Sequence, residues 1–333
     1  MKKILFIANY RPASGGISTQ VDMLNKMLQR EGFYTSILSL KGNVWYRFKA
    51  FFRLLWIGKR YNVFHIHACS GRGFLPAVIG ILVGKMLRRK IILTYHGGGA
   101  RAFFKKRSWL VEFFLNKTHT NIVLSGFLKE VFDQYSIPCT IIPNIVELNT
   151  SLFVERKEIH PNFIGIRSFT PTYNIPCTLN AFKAVKNKYP DATLMLLGDG
   201  PLRESMEQYV KEQSIKDVSF IGVVPNVKIY DYLNKADIML SSPLIDNMPV
   251  SLLEGFNAGT LVISSRVGGV PYMIEDGVNG LLFESRNSDE MASKMIEALE
   301  NQEWTKKMIS TAHDNLKMYS WEHNRNKYFE IYQ

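Results

Sequence analysis

Residues 246–255, Asp-Asn-Met-Pro-Val-Ser-Leu-Leu-Glu-Gly, place two carboxylates eight positions apart, between the apolar runs ADIMLSS and TLVISS. Pro249 suits the first position of a helix, because it has no N–H to leave unpaired and its φ is already helical. The amides of Val250, Ser251 and Leu252 would then lack intrahelical acceptors and offer an anion site, as for a phosphate. Glu254, one turn further, is repelled by such a phosphate but can accept two hydrogen bonds from a ribose diol. Asp246 can do the same for hydroxyls of a sugar on the other side of a diphosphate. The chemistry implied is recognition of a nucleotide sugar. The plainer reading of the same pair is one acid at the helix dipole and one on the helix surface.

Other loops carry further candidates. In NYRPASGGIST the pair Gly15-Gly16 precedes a helix starting at Ile17, so free amides face a gap with no side chain to block a phosphate or sugar. The spacing is not G-x-G-x-x-G, which gives a nicotinamide cofactor little support. His96 stands at a predicted strand end before three glycines, where a functional role competes with a structural one. Arg167 follows the run NFIGI, and its guanidinium can grip a diphosphate with two parallel hydrogen bonds. Gly198-Asp199-Gly200-Pro201 makes a turn that also lets a flat base approach the backbone.

These loops hang on an alternating pattern. KILFIA, TSILSL, VFHIH, KIILTY, NIVLS and TIIP are strand-like runs separated by helical stretches, and NFIGI, TLMLLG, VSFIG, DIMLSS, LVISS and GLLF repeat the scheme. The expectation is an α/β fold with two doubly wound parallel sheets covered by helices. The polar, aperiodic stretch 144–162 reads as the linker, with a boundary near residue 152. Ligands of such domains bind at the carboxyl ends of the strands, so the two sets of loops are expected to line one central cleft.

With 333 residues, 46% of them hydrophobic, the chain has room for two cores. Cys69, Cys139 and Cys177 lie far apart with no CxxC, which argues against disulfides and structural zinc and for a reducing compartment. The N-terminal apolar run stops at Ala8, too short for a signal sequence or a membrane span, so a first strand is expected there. Charge is unevenly spread. Residues 1–150 hold 22 Lys+Arg against 6 Asp+Glu, a balance of +16, whereas the remainder holds 19 against 23, a balance of −4. An anionic partner for the first half follows. In 47–61, Phe48, Phe51, Phe52 and Leu55 fall on one helix face, ringed by Arg47, Lys49, Arg53, Lys59 and Arg60; 101–114 repeats the mixture and 84–90 adds charge. That pattern suits a helix lying on an anionic membrane surface. Core aromatics with a solvated basic rim are the alternative. No zinc finger, RNP-like or helix-turn-helix signature points to nucleic acid.

The block from Asp246 through V-G-G-V-P at 267–271 resembles the signature of family 4 retaining glycosyltransferases of the GT-B fold, E-x7-E followed by an apolar strand and V-G-G-x-P. Gly15-Gly16, His96-Gly97, I-P-N at 142–144, Gly198-Asp199-Gly200-Pro201, D-G-x-N-G at 276–280 and S-W-E at 320–322 match in the same order, so the resemblance spans the chain. It implies an acceptor domain over 1–152, basic and membrane-facing, and a nucleotide-sugar domain over 153–318. Residues 319–333 would form a last helix that crosses back to the first domain. It also implies His96, Asp246 and Arg167 as the catalytic set. The donor site would comprise Gly15, Gly16, Tyr173, Gly198, Asp199, Met248, Pro249, Val250, Ser251 and Glu254. Three departures stand out: Asp246 where the family has Glu, Tyr173 then Asn174 where it has Lys then Gly, and Tyr272 where an acid is common.

The implied reaction moves a hexosyl group from a nucleotide diphosphate, UDP foremost, to an acceptor hydroxyl with retention at the anomeric carbon. The leaving phosphate itself takes the acceptor proton, so no protein nucleophile is needed, and donors aimed at that phosphate supply the main electrostatic help. No metal and no other cofactor are expected, since protein groups neutralise the diphosphate and no D-x-D signature is present. The acceptor expected on a basic domain at the inner face of a cell membrane is a polyprenyl-diphosphate-linked saccharide in capsule, lipopolysaccharide or other bacterial polysaccharide assembly. A sugar-nucleotide epimerase or phosphorylase of the same fold, and a catalytically silent partner subunit, remain open alternatives.

Overall fold

Apolar runs of four to six residues bounded by turn formers become strands when both faces can be buried, which requires a parallel sheet with helices on either side. The computed structural model of the chain describes residues 2–12, 16–148 and 152–333. Two units result, Met1–Glu147 with Met318–Gln333, and Leu148–Lys317.

In the first unit β1 (Lys3–Ala8), β2 (Tyr34–Ser39), β3 (Val63–Ala68), β4 (Lys90–Tyr95), β5 (Thr120–Val123) and β6 (Thr140–Ile141) form a sheet in the order β2-β1-β3-β4-β5-β6, with every pairing parallel. The connecting helices are α1 (Ile17–Arg30), α2 (Val44–Ile57), α3 (Leu75–Met86), α4 (Ala100–Leu115) and α5 (Gly126–Gln134). The second unit repeats the plan with β7 (Asn162–Ile166), β8 (Thr193–Leu197), β9 (Val218–Gly222), β10 (Ile238–Ser241), β11 (Leu261–Ser265) and β12 (Leu281–Phe283), ordered β12-β11-β10-β7-β8-β9 and again wholly parallel. Its helices are α6 (Ile175–Lys188), α7 (Arg203–Glu212), α8 (Ile229–Leu233), α9 (Val250–Ala258), α10 (Ser288–Glu300) and α11 (Gln302–Asn315). The last helix, α12 (Trp321–Tyr332), belongs to the first unit, where Trp321, Tyr328 and Tyr332 pack with Val21 and Leu24 of α1. All twelve strands fall on runs expected from the sequence.

Helices α2 to α5 cover the other face of the first sheet through Leu54, Ile81, Phe104 and Phe132. The apolar face expected on α2 divides in two. Phe51 and Leu55 pack toward the core beside Ala50 and Leu54, whereas Phe48 and Phe52 stay in solvent next to Trp45 and Trp56, 74% and 65% exposed. A helix with alanine and leucine on the sheet side has no core space for four more large rings. Trp109 and Phe113 of α4 are exposed in the same way.

Each sheet reverses its strand order once. In the first unit the reversal lies between β1 and β3, and in the second between β7 and β10. Loops leaving adjacent strands in opposite directions there open a crevice at the carboxyl ends, the general ligand position of such folds.

Candidate active site

In the second unit, Arg167 directly follows β7 and Asp246 lies in the loop after β10, so both emerge at the strand-order reversal. Their side chains meet: Arg167 Nη2 is 3.3 Å from Asp246 Oδ2, both largely buried. Arg167 also donates from Nε and Nη2 to Ser241 Oγ at 3.3 and 2.9 Å. Its guanidinium lies over the Tyr173 ring, 5.2 Å from the centroid. Only Nη1 of Arg167 has no partner among the described residues, so the two-armed grip on a diphosphate expected from the sequence is preceded by an internal ion pair with Asp246.

Tyr173 therefore supports the guanidinium through its ring face, a cation–π contact. Burial raises its hydroxyl pKa, while nearby Arg167 pulls it down and Asp246 pushes it up. Asn174, the other departure, takes φ 46° and ψ 47° at the start of α6. That left-handed backbone is why glycine suits the position, and asparagine is among the side chains that tolerate it.

Asp246 Oδ1 accepts from its neighbour Asn247 N at 2.8 Å, which fixes the carboxylate in the loop before α9. The V-G-G segment locks the loop from below. A Cβ on Gly269 would stand 2.2 Å from Asn247 O, so only glycine lets the two backbones touch. The D-N-M-P and V-G-G halves of the motif are one packed piece. Met248 is buried.

Pro249 is the cap of α9, with φ −67° and ψ 122°, and not its first helical residue. The extended ψ turns its carbonyl inward, where it accepts from Leu252 N at 3.2 Å. The Leu252 amide is thus spent, contrary to the sequence expectation, and the amides of Val250 and Ser251 form the open end. Ser251 Oγ is also buried there without a hydrogen-bond partner. Three donors at a positive helix end suit an anion.

Glu254 is the most perturbed group of this unit's site. Burial drives its carboxyl from 4.5 up to about 7, against a downward pull from Arg167. Tyr230 of α8 lies beside it, hydrogen-bonded by Asn257 Nδ2 at 3.1 Å; burial, and then the charge of Glu254, raise its pKa to about 12 despite that hydrogen bond. Gly198 takes φ 130°, and a Cβ there would come 1.9 Å from Arg167 O. The glycine holds the loop after β8 against the Arg167 backbone, and Asp199 Oδ1 accepts from Gly200 N at 2.7 Å.

In the first unit, Gly16 caps α1 with φ 66° and open space where a Cβ would stand. Gly15 lies outside the described residues. His96 follows β4, half-buried, with Nε2 2.8 Å from Nδ1 of His67. Burial pushes its pKa down to about 3, so the imidazole is neutral. Sequence reasoning did not single out Ser241, Tyr230, His65 or His67. For the histidines the signal existed, because V-F-H-I-H puts both on one face of a strand.

Residues 14–150 match the glycosyltransferase family 4 domain, and residues 153–314 match the domain of glycosyl transferases group 1. The chain belongs to the GT-B glycosyltransferases of family 4. It is 25% identical to an uncharacterized glycosyltransferase of Methanocaldococcus jannaschii, over 96% of this chain and 95% of that one. It is 23% identical to the alpha-monoglucosyldiacylglycerol synthase of Streptococcus pneumoniae, over 89% of this chain and 77% of that one. The crystal structure of the Anabaena protein HepE in complex with UDP-glucose shares the fold with a TM-score of 0.80 at 14% identity, covering 99% of both chains.

Proposed function

We propose that this glycosyltransferase moves a hexosyl group from a UDP-sugar to a hydroxyl of a lipid-linked acceptor, with retention of the anomeric configuration and without a metal. The observation that carries the reading is the cluster at the β7/β10 reversal, where Arg167, the open end of α9 and Ser251 gather positive character beside Asp246 and Glu254. In this reading the Val250 and Ser251 amides and Arg167 Nη1 take the diphosphate, and Glu254 takes the ribose diol. Asp246 and His96 are assigned to the sugar hydroxyls. Negative charge grows on the diphosphate as the glycosidic bond breaks, and donors fixed in advance stabilise it most at that point. The leaving phosphate oxygen receives the acceptor proton. The HepE complex with UDP-glucose supports uridine as the base.

The test is a thermal-shift screen against UDP-, GDP-, ADP- and CDP-sugars, followed by assignment of the product anomer by NMR. Stabilisation by a UDP-sugar and an anomer of unchanged configuration are expected. A folded protein that binds no nucleotide diphosphate would instead be a silent partner subunit.

A lipid-borne acceptor agrees with the surface of the first unit and with the diacylglycerol relative. Trp45, Phe48, Phe52 and Trp56 form an exposed row on α2, Phe48 and Phe52 touching edge to face at 5.0 Å. Lys49, Arg53, Lys59 and Arg60 around them make no ion pair among the described residues. Each such cation adds about 1 kcal/mol near an anionic leaflet, and the rings can enter the headgroup layer. No described helix is long and apolar enough to cross a membrane. Flotation with phosphatidylglycerol vesicles is expected to carry the protein upward, and the change of all four rings to serine to abolish that. Equal flotation with neutral vesicles would remove the electrostatic part of the reading.

A further inference from the structure

The first unit carries a row of imidazoles of which the proposed chemistry uses only one. His65 and His67 point to the same face of β3, and His96 directly follows the end of the neighbouring strand β4. Ring centroids are 4.5 Å apart for His65 and His67 and 5.1 Å for His67 and His96. His65 is engaged on both nitrogens, Nδ1 with the Tyr332 hydroxyl at 2.6 Å and Nε2 with Thr94 Oγ1 at 2.7 Å. His67 is engaged on one. Its Nδ1 meets His96 Nε2 at 2.8 Å, while its Nε2 is buried with no partner. Burial foremost, and the neighbouring imidazoles next, keep His65 and His67 uncharged.

One proton lies between His67 Nδ1 and His96 Nε2, and the unpartnered nitrogen of His67 identifies its owner. Were the proton on His96, neutral His67 would carry its own on Nε2, as a buried N–H without an acceptor. Orphaned buried donors are the rarer defect. With the proton on His67, Nε2 is a bare lone pair and the proton of His96 sits on Nδ1. That nitrogen has no protein partner among the described residues.

We propose that His67 is a positioning residue: it donates from Nδ1 to His96 Nε2 and so locks His96 in the Nδ1–H tautomer, leaving a hydrogen-bond donor as the nitrogen available to substrate. The inference rests on the assignment of His96 to the sugar and narrows it. His96 then gives a hydrogen bond to a sugar oxygen and accepts none from a sugar hydroxyl. In ground-state binding, a deoxyfluoro donor at the contacted position, which still offers a weak acceptor, would be held better than the deoxy donor.

The experiment is a long-range proton–nitrogen correlation spectrum of the full-length protein labelled with nitrogen-15 histidine, with His96 assigned by its loss in His96→Gln. The free wild-type protein is expected to show the Nδ1–H pattern for His96. His67→Phe keeps a ring in the stack without the hydrogen bond and is expected to lose that pattern; His67→Asn, whose amide N–H can replace Nδ1–H, is expected to regain it. With a turned-over donor, His67→Phe should lower kcat about tenfold, with recovery in His67→Asn. An Nε2–H pattern in the wild-type protein overturns the proposal without reference to activity, and so does a His67→Phe protein with unchanged pattern and unchanged kcat. An Nδ1–H pattern joined to full turnover by His96→Gln keeps the tautomer and sinks the sugar assignment instead.

Discussion

Glu254→Gln is expected to make the free protein more stable above pH 7 while lowering kcat/KM about a hundredfold. Both effects come from one carboxyl. In the folded chain burial holds its pKa at about 7, above the ordinary 4.5. Between those values the native state binds a proton that the unfolded state has released, so the contribution to stability falls as pH rises through that window. Above it the full cost of a buried carboxylate is borne, about 3 kcal/mol for a shift of this size. Glutamine has no charge to bury. Its advantage should be greatest at pH 8 and vanish near pH 4, where Glu254 is protonated in both states, and melting curves at the two pH values check this.

In the proposed reading turnover moves the other way, because the ribose diol donates two hydrogen bonds that the carboxylate accepts with its charge and the glutamine amide oxygen without it. Two hydrogen bonds to a charged acceptor correspond to about 3 kcal/mol, or two orders of magnitude. The same logic makes UDP-sugar affinity rise with pH through about 7 in the wild-type protein and stay flat in Glu254→Gln. A UDP-sugar is the proper ligand, because its diphosphate has no proton to lose there. A pH-independent wild-type affinity would separate Glu254 from the donor.

What the sequence disclosed and what it withheld follow one physical division. Strands such as KILFIA and LVISS are continuous apolar runs, because helices cover both sheet faces, and continuous runs between turn formers are legible one segment at a time. The D-N-M-P loop and the V-G-G loop are each legible too, but not the contact of Gly269 with Asn247 that joins them. Pro249 shows the limit for local conformation. Proline fixes φ but not ψ, and it is ψ 122° that makes it a cap and consumes the Leu252 amide. The Arg167–Asp246 pair was illegible because its partners are 79 positions apart and meet only through the strand order. Tyr173 reads as a lost cation in the motif, yet its ring holds the cation that remains.

That ion pair carries the other large expectation. Arg167→Met should reduce kcat by about 10²- to 10³-fold, the usual cost of removing one donor aimed at developing charge. It should also destabilise the protein, because Asp246 is left largely buried beside Ser241 with no cation; breaking such a pair from one side costs about 3 kcal/mol or more. Lower turnover in that variant therefore has two sources. Arg167→Met/Asp246→Leu isolates the stability source, since removal of both charges leaves neither one buried and unpaired, and apolar replacement of a buried pair is often neutral; its turnover also bears the loss of Asp246 from the sugar. Stability measured by denaturant unfolding should return to near the wild-type value while turnover stays low. Arg167→Lys should keep the ion pair but lose the planar stack on Tyr173 and the fork that reaches Ser241, and so recover stability better than kcat. Turnover that returned in step with stability in the double variant would show that Arg167 serves the fold of the loop and not the leaving diphosphate.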